Sequence, residues 1–428
     1  MAVCTKTDLR NQVMYSIYVR NYSEEGTFQM VEKDLDRIQN LGVDIIWLMP
    51  IHPVGQKARK GTLGSPYAIS DYRKINPEFG TIDDFISLAN AIHARGMKCI
   101  IDVVYNHTAK DSWLAQNHPE FFYQTPEGTM GNRVGDWTDI IDLDYGNKDL
   151  WDYQIETLKM WAQIVDGFRC DVAPLVPLEF WQKAREEVTK VNPECFWLSE
   201  SVEPNFIIEL RSRGMTGLSD SEIFQAFDSC YDYDVYGYFC KYLRGEIPLS
   251  VYVERVNMQE YIYPENYVKL RYLENHDQSR VKAIVNSQEA LMNWTAFLYF
   301  QKGMTLIYAG QEMENDITPS LFDKDTVSWN TGYDISDYLK TLYKLKKHPI
   351  FTDSSYYLKA YDHEEIIVGT HKSGDKKMVG VFNLKGNWAA VDVDLEDGMY
   401  YDLLNQEPVA VQYGKVHSKG YPIIIESR

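Results

Sequence analysis

The sequence predicts an α/β fold: a (β/α)8, or TIM, barrel with a short inserted loop domain after its third strand, followed by a C-terminal antiparallel β-domain. Three observations predict it. Apolar strand-like runs alternate with stretches of helical period over the first three quarters of the chain, in eight repeats. The alternation breaks once, in a Gly-, Asp- and aromatic-rich stretch from about His107 to Gly146. From about Pro349 it gives way to short alternating strands separated by turn signals.

The elements follow in order. "QVMYSIYVR" reads as the first strand, and "MVEKDLDRIQNLG" as a helix stopped by Gly42. "VDIIWLMP" is the second strand, ended by Pro50. "TIDDFISLANAIHARG" is a helix capped by Thr81 with Asp84 three residues on, and closed by Gly96. "MKCIIDVVYNH" is the third strand. After the insert, "LWDYQIETLKMWAQIV" resumes the helices. "GFRCDV" is the fourth strand, "PLEFWQKAREEVTKVN" its helix and "CFWLSE" the fifth strand. A weaker sixth strand is expected near Glu222 to Phe227. "YVKLRYLENH" and "MTLIYAG" complete the set. The domain bounds expected are 1–106 and 147–348 for the barrel, 107–146 for the insert and 349–428 for a β-sandwich-like C-terminal domain. An open doubly wound sheet is the rival fold, but the first strand is followed by no Gly-rich phosphate turn.

Composition narrows the partners. Against 43 Lys and Arg stand 62 Asp and Glu, a net charge of −19. Such a chain lacks the basic stripes that neutralise nucleic-acid phosphates or bind an anionic membrane surface. The six cysteines, Cys4, Cys99, Cys170, Cys195, Cys230 and Cys240, form no C-x-x-C pair and read as free, mostly buried thiols. The N-terminus shows no apolar signal core and no run is long enough to span a bilayer, so the cytoplasm is the expected compartment. The sequence carries no signal of oligomeric state.

In a (β/α)8 barrel the chemistry gathers at the C-terminal ends of the strands. Here those ends carry ionisable groups: Asp102, Asn106 and His107 at the end of the third, Arg169 and Asp171 on the fourth, Glu200 at the end of the fifth, and Glu274, His276 and Asp277 at the end of the seventh. One Asp after a strand is ordinarily a helix cap or a solvated charge. A whole set of carboxylates, histidines and an arginine on neighbouring strand ends needs a shared purpose. Metal hydrolases would show a motif such as H-E-x-x-H, and serine hydrolases a G-x-S-x-G elbow; neither occurs. Cys170 could serve as a nucleophile, but strand alternation points it away from the side shared by Arg169 and Asp171. Paired carboxylates, one a nucleophile and one an acid, suit cleavage of a glycosidic bond.

These segments are recognisable. "DVVYNH" (Asp102–His107), "GFRCDV" (Gly167–Val172), "WLSE" (Trp197–Glu200) and "ENHD" (Glu274–Asp277) resemble, in order, the four signature segments of the α-amylase superfamily, glycoside hydrolase family thirteen. "GVDIIWLMP", "SPYAISDY" and "GMTLIYAGQE" resemble its second strand, its tyrosine-bearing loop and its eighth strand, so the likeness runs across nearly the whole barrel. The resemblance implies Asp171 as nucleophile, Glu200 as general acid/base and Asp277 as the third carboxylate, which positions the sugar. It implies that Arg169 holds Asp171 ionised, that His107 and His276 bind hydroxyls of the same ring, and that Tyr67 stacks on its apolar face. A retaining mechanism would follow, with the two reacting carboxyls about 5–5.5 Å apart and Glu200 in a site that favours its neutral acid.

Two departures stand out. Where family amylases often follow the nucleophile with Ala and then Lys-His, this chain has Val172, Ala173, Pro174 and Leu175. The missing His would supply a calcium-ligand carbonyl. Asn106 and Asp142 offer two oxygens at the family's calcium position, and calcium takes about six to eight, so no cofactor and no required metal are expected, with structural calcium the alternative. Val172 is the second departure, since family members with Val there cut α-1,6 bonds in short oligosaccharides. The expected activity is hydrolysis of α-1,4 bonds in maltodextrins or starch-derived oligosaccharides, with an α-glucan oligosaccharide as the partner. The alternatives are an α-1,6-acting hydrolase, an α-glucan transglycosylase and, in a different class, a non-catalytic binding protein, which would have no need to keep Asp171, Glu200 and Asp277 together. A barrel enzyme acting on phosphorylated substrates should show a Gly-rich loop after strand seven or eight; Gly303 and Gly310 alone are a weak match.

Overall fold

A computed structural model of the chain describes residues 5–134, 137–285 and 287–427. Eight parallel strands form the closed barrel that the sequence predicts, each neighbouring the next in chain order: β1 Val13–Ile17, β2 Ile45–Leu48, β3 Lys98–Val103, β4 Gly167–Cys170, β5 Phe196–Ser199, β6 Ser229–Tyr231, β7 Lys269–Arg271 and β8 Met304–Tyr308. Nearly every residue of these strands is buried, as expected where both faces of a parallel sheet are covered. The C-terminal strand Ser355–Tyr361 instead alternates buried and exposed over its first five residues, the mark of a sheet with one wet face.

The sixth strand is a correction. Asp220–Ile223, which overlaps the start of the stretch expected to hold it, is a helical turn with a Ser219/Glu222 capping box, and the strand is the three-residue Ser229–Tyr231. Three residues are too few to show a period. The insert also holds more regular structure than a loop. His107–Ala109 pairs antiparallel with Ile140–Asp142, and Trp113–Asn117 is a short helix capped by Ser112. The helix Ile82–Ala94 begins with the expected Thr81/Asp84 capping box.

The chain divides into two compact units. One holds Met14–Tyr231 and Pro319–Ser328; the other holds Thr5–Val13, Asp232–Thr318 and the chain from Trp329 on. In the first, β4 lies so close to β5 that a Cβ on Gly167 would sit 2.3 Å from the Phe196 carbonyl oxygen. Only glycine fits there, which accounts for the first letter of "GFRCDV". In the second, a four-stranded antiparallel sheet runs in the order Ser355–Tyr361, Ile366–Ser373, Lys376–Asn383 and Ile423–Glu426, beside two two-stranded ladders. It packs on the helix Gln288–Phe300. The Phe300 ring lies 5.3 Å from Phe382 and 4.9 Å from His371, and Gly369 leaves room for it, since a Cβ there would meet Phe300 at 2.7 Å. Among the described residues no helix is long and apolar enough to cross a membrane. The described cysteines are free and, Cys240 apart, buried; Cys4 lies outside the described residues.

Candidate active site

The strand register builds the site. Asp102 of β3 pairs with Arg169 of β4, and Arg169 in turn pairs with Leu198 of β5. The ladder continues one residue past each strand: the Asp171 N–H donates to the Val103 carbonyl at 2.8 Å and the Glu200 N–H to the Cys170 carbonyl at 3.0 Å. Arg169 and Asp171, two residues apart, share a side. The result is one guanidinium among three carboxylates. Arg169 Nη1 lies 3.0 Å from Asp102 Oδ1 and 3.0 Å from Asp171 Oδ1, and Nη2 lies 2.8 Å from Glu200 Oε1. Its Nε donates to the Tyr231 hydroxyl at 3.2 Å. The rings of Trp47, Tyr67 and Tyr231 surround it, with centroids 5.1 to 5.6 Å from the guanidinium carbon.

All four charged groups are buried. Three acids on one base leave an excess of negative charge that a low-dielectric interior does not tolerate, so one proton belongs to the cluster. Asp102 is the fully enclosed acid. Burial pushes its carboxyl up to about 7; Arg169 pulls it back, the Glu200 charge adds to the rise, and the Tyr67 hydroxyl donates to its Oδ2 at 3.2 Å. Burial works against a charged Arg169, yet Asp102 and Glu200 hold it protonated, well above the ordinary arginine value. Cys170 fails as a nucleophile, because burial pushes its thiol far up, beyond reach of a thiolate at working pH.

Glu200 sits between two donors. One oxygen meets Arg169 and the other accepts the Val172 N–H at 2.8 Å, two donors that favour the carboxylate. Val172 itself has a left-handed backbone, φ 35° and ψ 42°, a conformation that β-branched residues seldom adopt. That turn aims its N–H at Glu200.

The remaining predicted residues fall in two places. His107 lies in the first unit, on the insert strand, 5.6 Å from the Trp137 ring. Burial lowers its imidazole to about 4, against the pull of Asp142 and Asp139, so it is neutral at working pH and can serve a hydroxyl as donor or acceptor. Tyr67, half-buried, faces Arg169. His276 and Asp277 belong to the second unit, just after β7. His276 Nε2 lies 3.2 Å from Asp277 Oδ2, the Asp277 N–H donates to Asn275 Oδ1 at 2.9 Å, and the Asp277 carboxylate stays 39 % exposed. From the sequence alone Asp102 stands at a strand end without a role of its own, and Trp47 and Tyr231 do not stand out. The parallel register was the signal for Asp102; the two aromatics had none beyond apolar strand composition.

A calcium ion can be tested against the residues. Asp142 Oδ1 is buried and has no hydrogen-bond partner, while Oδ2 accepts the Arg133 N–H at 2.7 Å. Asn106 lines the same hollow of about 280 Å³, but so does Arg133, which donates to the Leu143 carbonyl at 3.3 Å and lies over the Tyr123 ring. Among the described residues no group of three His, Cys, Asp or Glu could hold a metal. Two side-chain oxygens beside a guanidinium do not fit a divalent cation that takes about six to eight oxygens.

The comparisons with known proteins decide the family. The profile of the α-amylase catalytic domain matches residues 11–128 and 134–351, and that of the bacterial α-amylase C-terminal domain matches 357–425. The chain belongs to the α-amylase family. It is similar to the crystal structure of an α-amylase from Lactobacillus plantarum, at 48 % identity and a TM-score of 0.96, with 98 % of this chain and 100 % of that one covered. It is also similar to a noncanonic maltogenic α-amylase from Thermotoga neapolitana, at 33 % identity and a TM-score of 0.88, with 98 % and 99 % covered. Among curated relatives, α-amylase MalA of Haloarcula japonica is 28 % identical over 71 % of this chain, and α-amylase 2 of Dictyoglomus thermophilum 24 % identical over 90 %. The chain spans 44 % and 70 % of their lengths.

Proposed function

We propose that this α-amylase-family protein is a retaining glycoside hydrolase that cleaves α-1,4-glucosidic bonds of maltodextrins or starch-derived oligosaccharides. The observation that carries the reading is Arg169 reaching both Asp171 and Glu200, which keeps two carboxyls side by side at adjacent strand ends. Asp171, paired with a guanidinium and so held ionised, attacks the anomeric carbon. Glu200 gives a proton to the departing glycosidic oxygen and then takes one from the water that releases the covalent sugar. To act as the acid it must give up a donor, and a substrate oxygen entering beside it is the natural replacement. Asp277 and His276 bind sugar hydroxyls in this reading, which for them rests on the sequence resemblance. Tyr67 offers its half-buried ring to the sugar, and His107 a neutral imidazole. The catalytic steps need no metal.

Product analysis tests the bond. Incubation with maltoheptaose, panose and isomaltose should consume maltoheptaose and leave isomaltose. The reverse pattern would replace this reading with α-1,6 cleavage.

A further inference from the structure

We propose that Arg133 is a built-in cation, a positioning residue that holds the inserted segment in place of the calcium its residues do not fit, and that through Asp142 it keeps His107 set for the sugar; that last step rests on the function proposed above.

The two strands of the insert bring the parts together. His107–Ala109 pairs antiparallel with Ile140–Asp142, and in that register His107 stands opposite Asp142. Residues so paired place their side chains on one face of the ladder, about 5 Å apart at Cβ. The Asp142 backbone is fixed on both sides: its N–H donates to the Gly131 carbonyl at 2.9 Å, and its carbonyl accepts the Tyr123 N–H at 3.0 Å. Its carboxylate is less well served. It is buried, Oδ2 accepts the Arg133 N–H at 2.7 Å, and Oδ1 finds no donor among the described residues. A carboxylate taken out of water in this way needs a compensating charge close by.

The guanidinium of Arg133 supplies that charge. Its carbon lies 4.3 Å from the centroid of the Tyr123 ring, Nη1 donates to the Leu143 carbonyl at 3.3 Å, and Nη2 lies 3.9 Å from Asp144 Oδ1. The Asp144 contact is long and both groups are partly exposed, so it contributes little. The pull on Asp142 matters more, because it opposes the rise that burial gives that carboxyl. Asp142, Leu143 and Asp144 are consecutive, and their carboxylate and carbonyl oxygens are the kind that calcium takes. Here a planar fork on a covalent stem meets them instead. The barrel anchors the same residue, since the Arg213 guanidinium donates to the Arg133 carbonyl at 2.7 Å. On its barrel side the hollow is lined by Leu175, Pro177, Gly214, Met215 and Thr216, which bring no carboxylate to complete a metal's shell.

Two variants of the full chain separate charge from shape: Arg133→Met removes the charge and keeps most of the stem, and Arg133→Lys keeps the charge. In EDTA, Arg133→Met should melt several degrees below wild type, with KM for maltoheptaose raised about fivefold and kcat within about twofold. Millimolar calcium should restore at least half of both losses, because the oxygens around the missing guanidinium then accept a weakly held cation. Arg133→Lys should stay near wild type, and neither it nor wild type should respond to calcium. Calcium that stabilises wild type overturns the proposal. So does an Arg133→Met protein that melts like wild type, matches Arg133→Lys or ignores calcium. If Arg133→Met does not fold in EDTA, refolding with calcium supports the proposal and failure to refold overturns it. If the chain cleaves no α-glucan, the KM expectation falls with the functional reading, and the melting curves alone decide.

Discussion

Arg169 is the residue on which the cluster turns, and replacing it by methionine tests the argument. Each of its carboxylate contacts is near 3 Å, worth about 5 kcal/mol of attraction at an effective dielectric near 20. Desolvation of the arginine and repulsion among the acids cancel most of this. Removing one partner of a buried ion pair costs about 3–5 kcal/mol, because the charges left behind have no compensation. For a unit of this size that is a loss on the order of 10 °C in melting temperature at pH 7.5. The pH dependence has a fixed sign. Asp102 already titrates in the folded state at about 7, against an ordinary 3.8. Between these values the folded protein binds a proton that the unfolded chain does not, so stability falls as pH rises from about 4 to about 7. Without Arg169 the acids bind protons more tightly still, and the loss steepens. The variant should therefore approach wild type at pH 5 and diverge from it at pH 7.5, in melting curves and in urea midpoints. A difference under about 1 kcal/mol at pH 7.5, or a larger one at pH 5, would refute the idea that Arg169 offsets a buried acid cluster.

Asp171→Asn should abolish turnover with the fold intact and prevent the covalent sugar adduct that mass spectrometry detects with a slow fluorosugar substrate; retained turnover counts against the nucleophile assignment. Glu200→Gln should slow cleavage of natural glucans by about 10²–10⁴-fold, and far less with aryl leaving groups that need no proton; equal losses on both would contradict its role as the acid. Val172→Asn replaces a β-branched residue at φ 35° with one that tolerates the left-handed region, and should raise the melting temperature by about 2–4 °C, roughly 1 kcal/mol; a drop would show that the valine side chain matters more than its backbone. Chelation with EDTA should leave the melting temperature unchanged, and a large loss would restore a structural cation beside Asn106 and Asp142.

Much of the fold is legible in the sequence because barrel strands and their helices differ in period, and because caps such as Thr81/Asp84 announce helix starts. The acids at the strand ends stand out for the opposite reason: Asp102, Asp171 and Glu200 interrupt apolar runs where a charge has no packing role. Legibility fails where elements are short or where function comes from register. Ser229–Tyr231 has too few residues to show alternation, and the capped turn just before it drew the prediction towards itself. Asp102 acquires its role by pairing with Arg169, 67 residues away, and nothing in "DVVYNH" states that partner. The positive φ at Val172 was also hidden, since valine is among the last residues expected there. "GFRCDV" reads as a strand running to its end, whereas the strand stops at Cys170 and the turn starts at Val172.

That turn links the two halves of the catalytic problem. A general acid must hold a proton, yet Glu200 accepts from Arg169 and from the Val172 N–H, both of which favour its charged form. Burial raises the carboxyl of Asp102, the most enclosed of the three acids, and so disfavours its charged form. Asp102 therefore governs how much negative charge surrounds the acid, without touching the sugar. Asp102→Asn keeps the shape of the protonated residue and removes its capacity to ionise. Above about pH 7, where wild-type Asp102 becomes charged, the variant has less negative charge to help retain a proton on the acid. The alkaline limb of kcat/KM should then move to lower pH, while activity at pH 5 to 6, where both forms are neutral, stays within a few-fold of wild type. A limb that stays in place or moves to higher pH would mean that Asp102 only props up Arg169, and a uniform loss at every pH would mean the same.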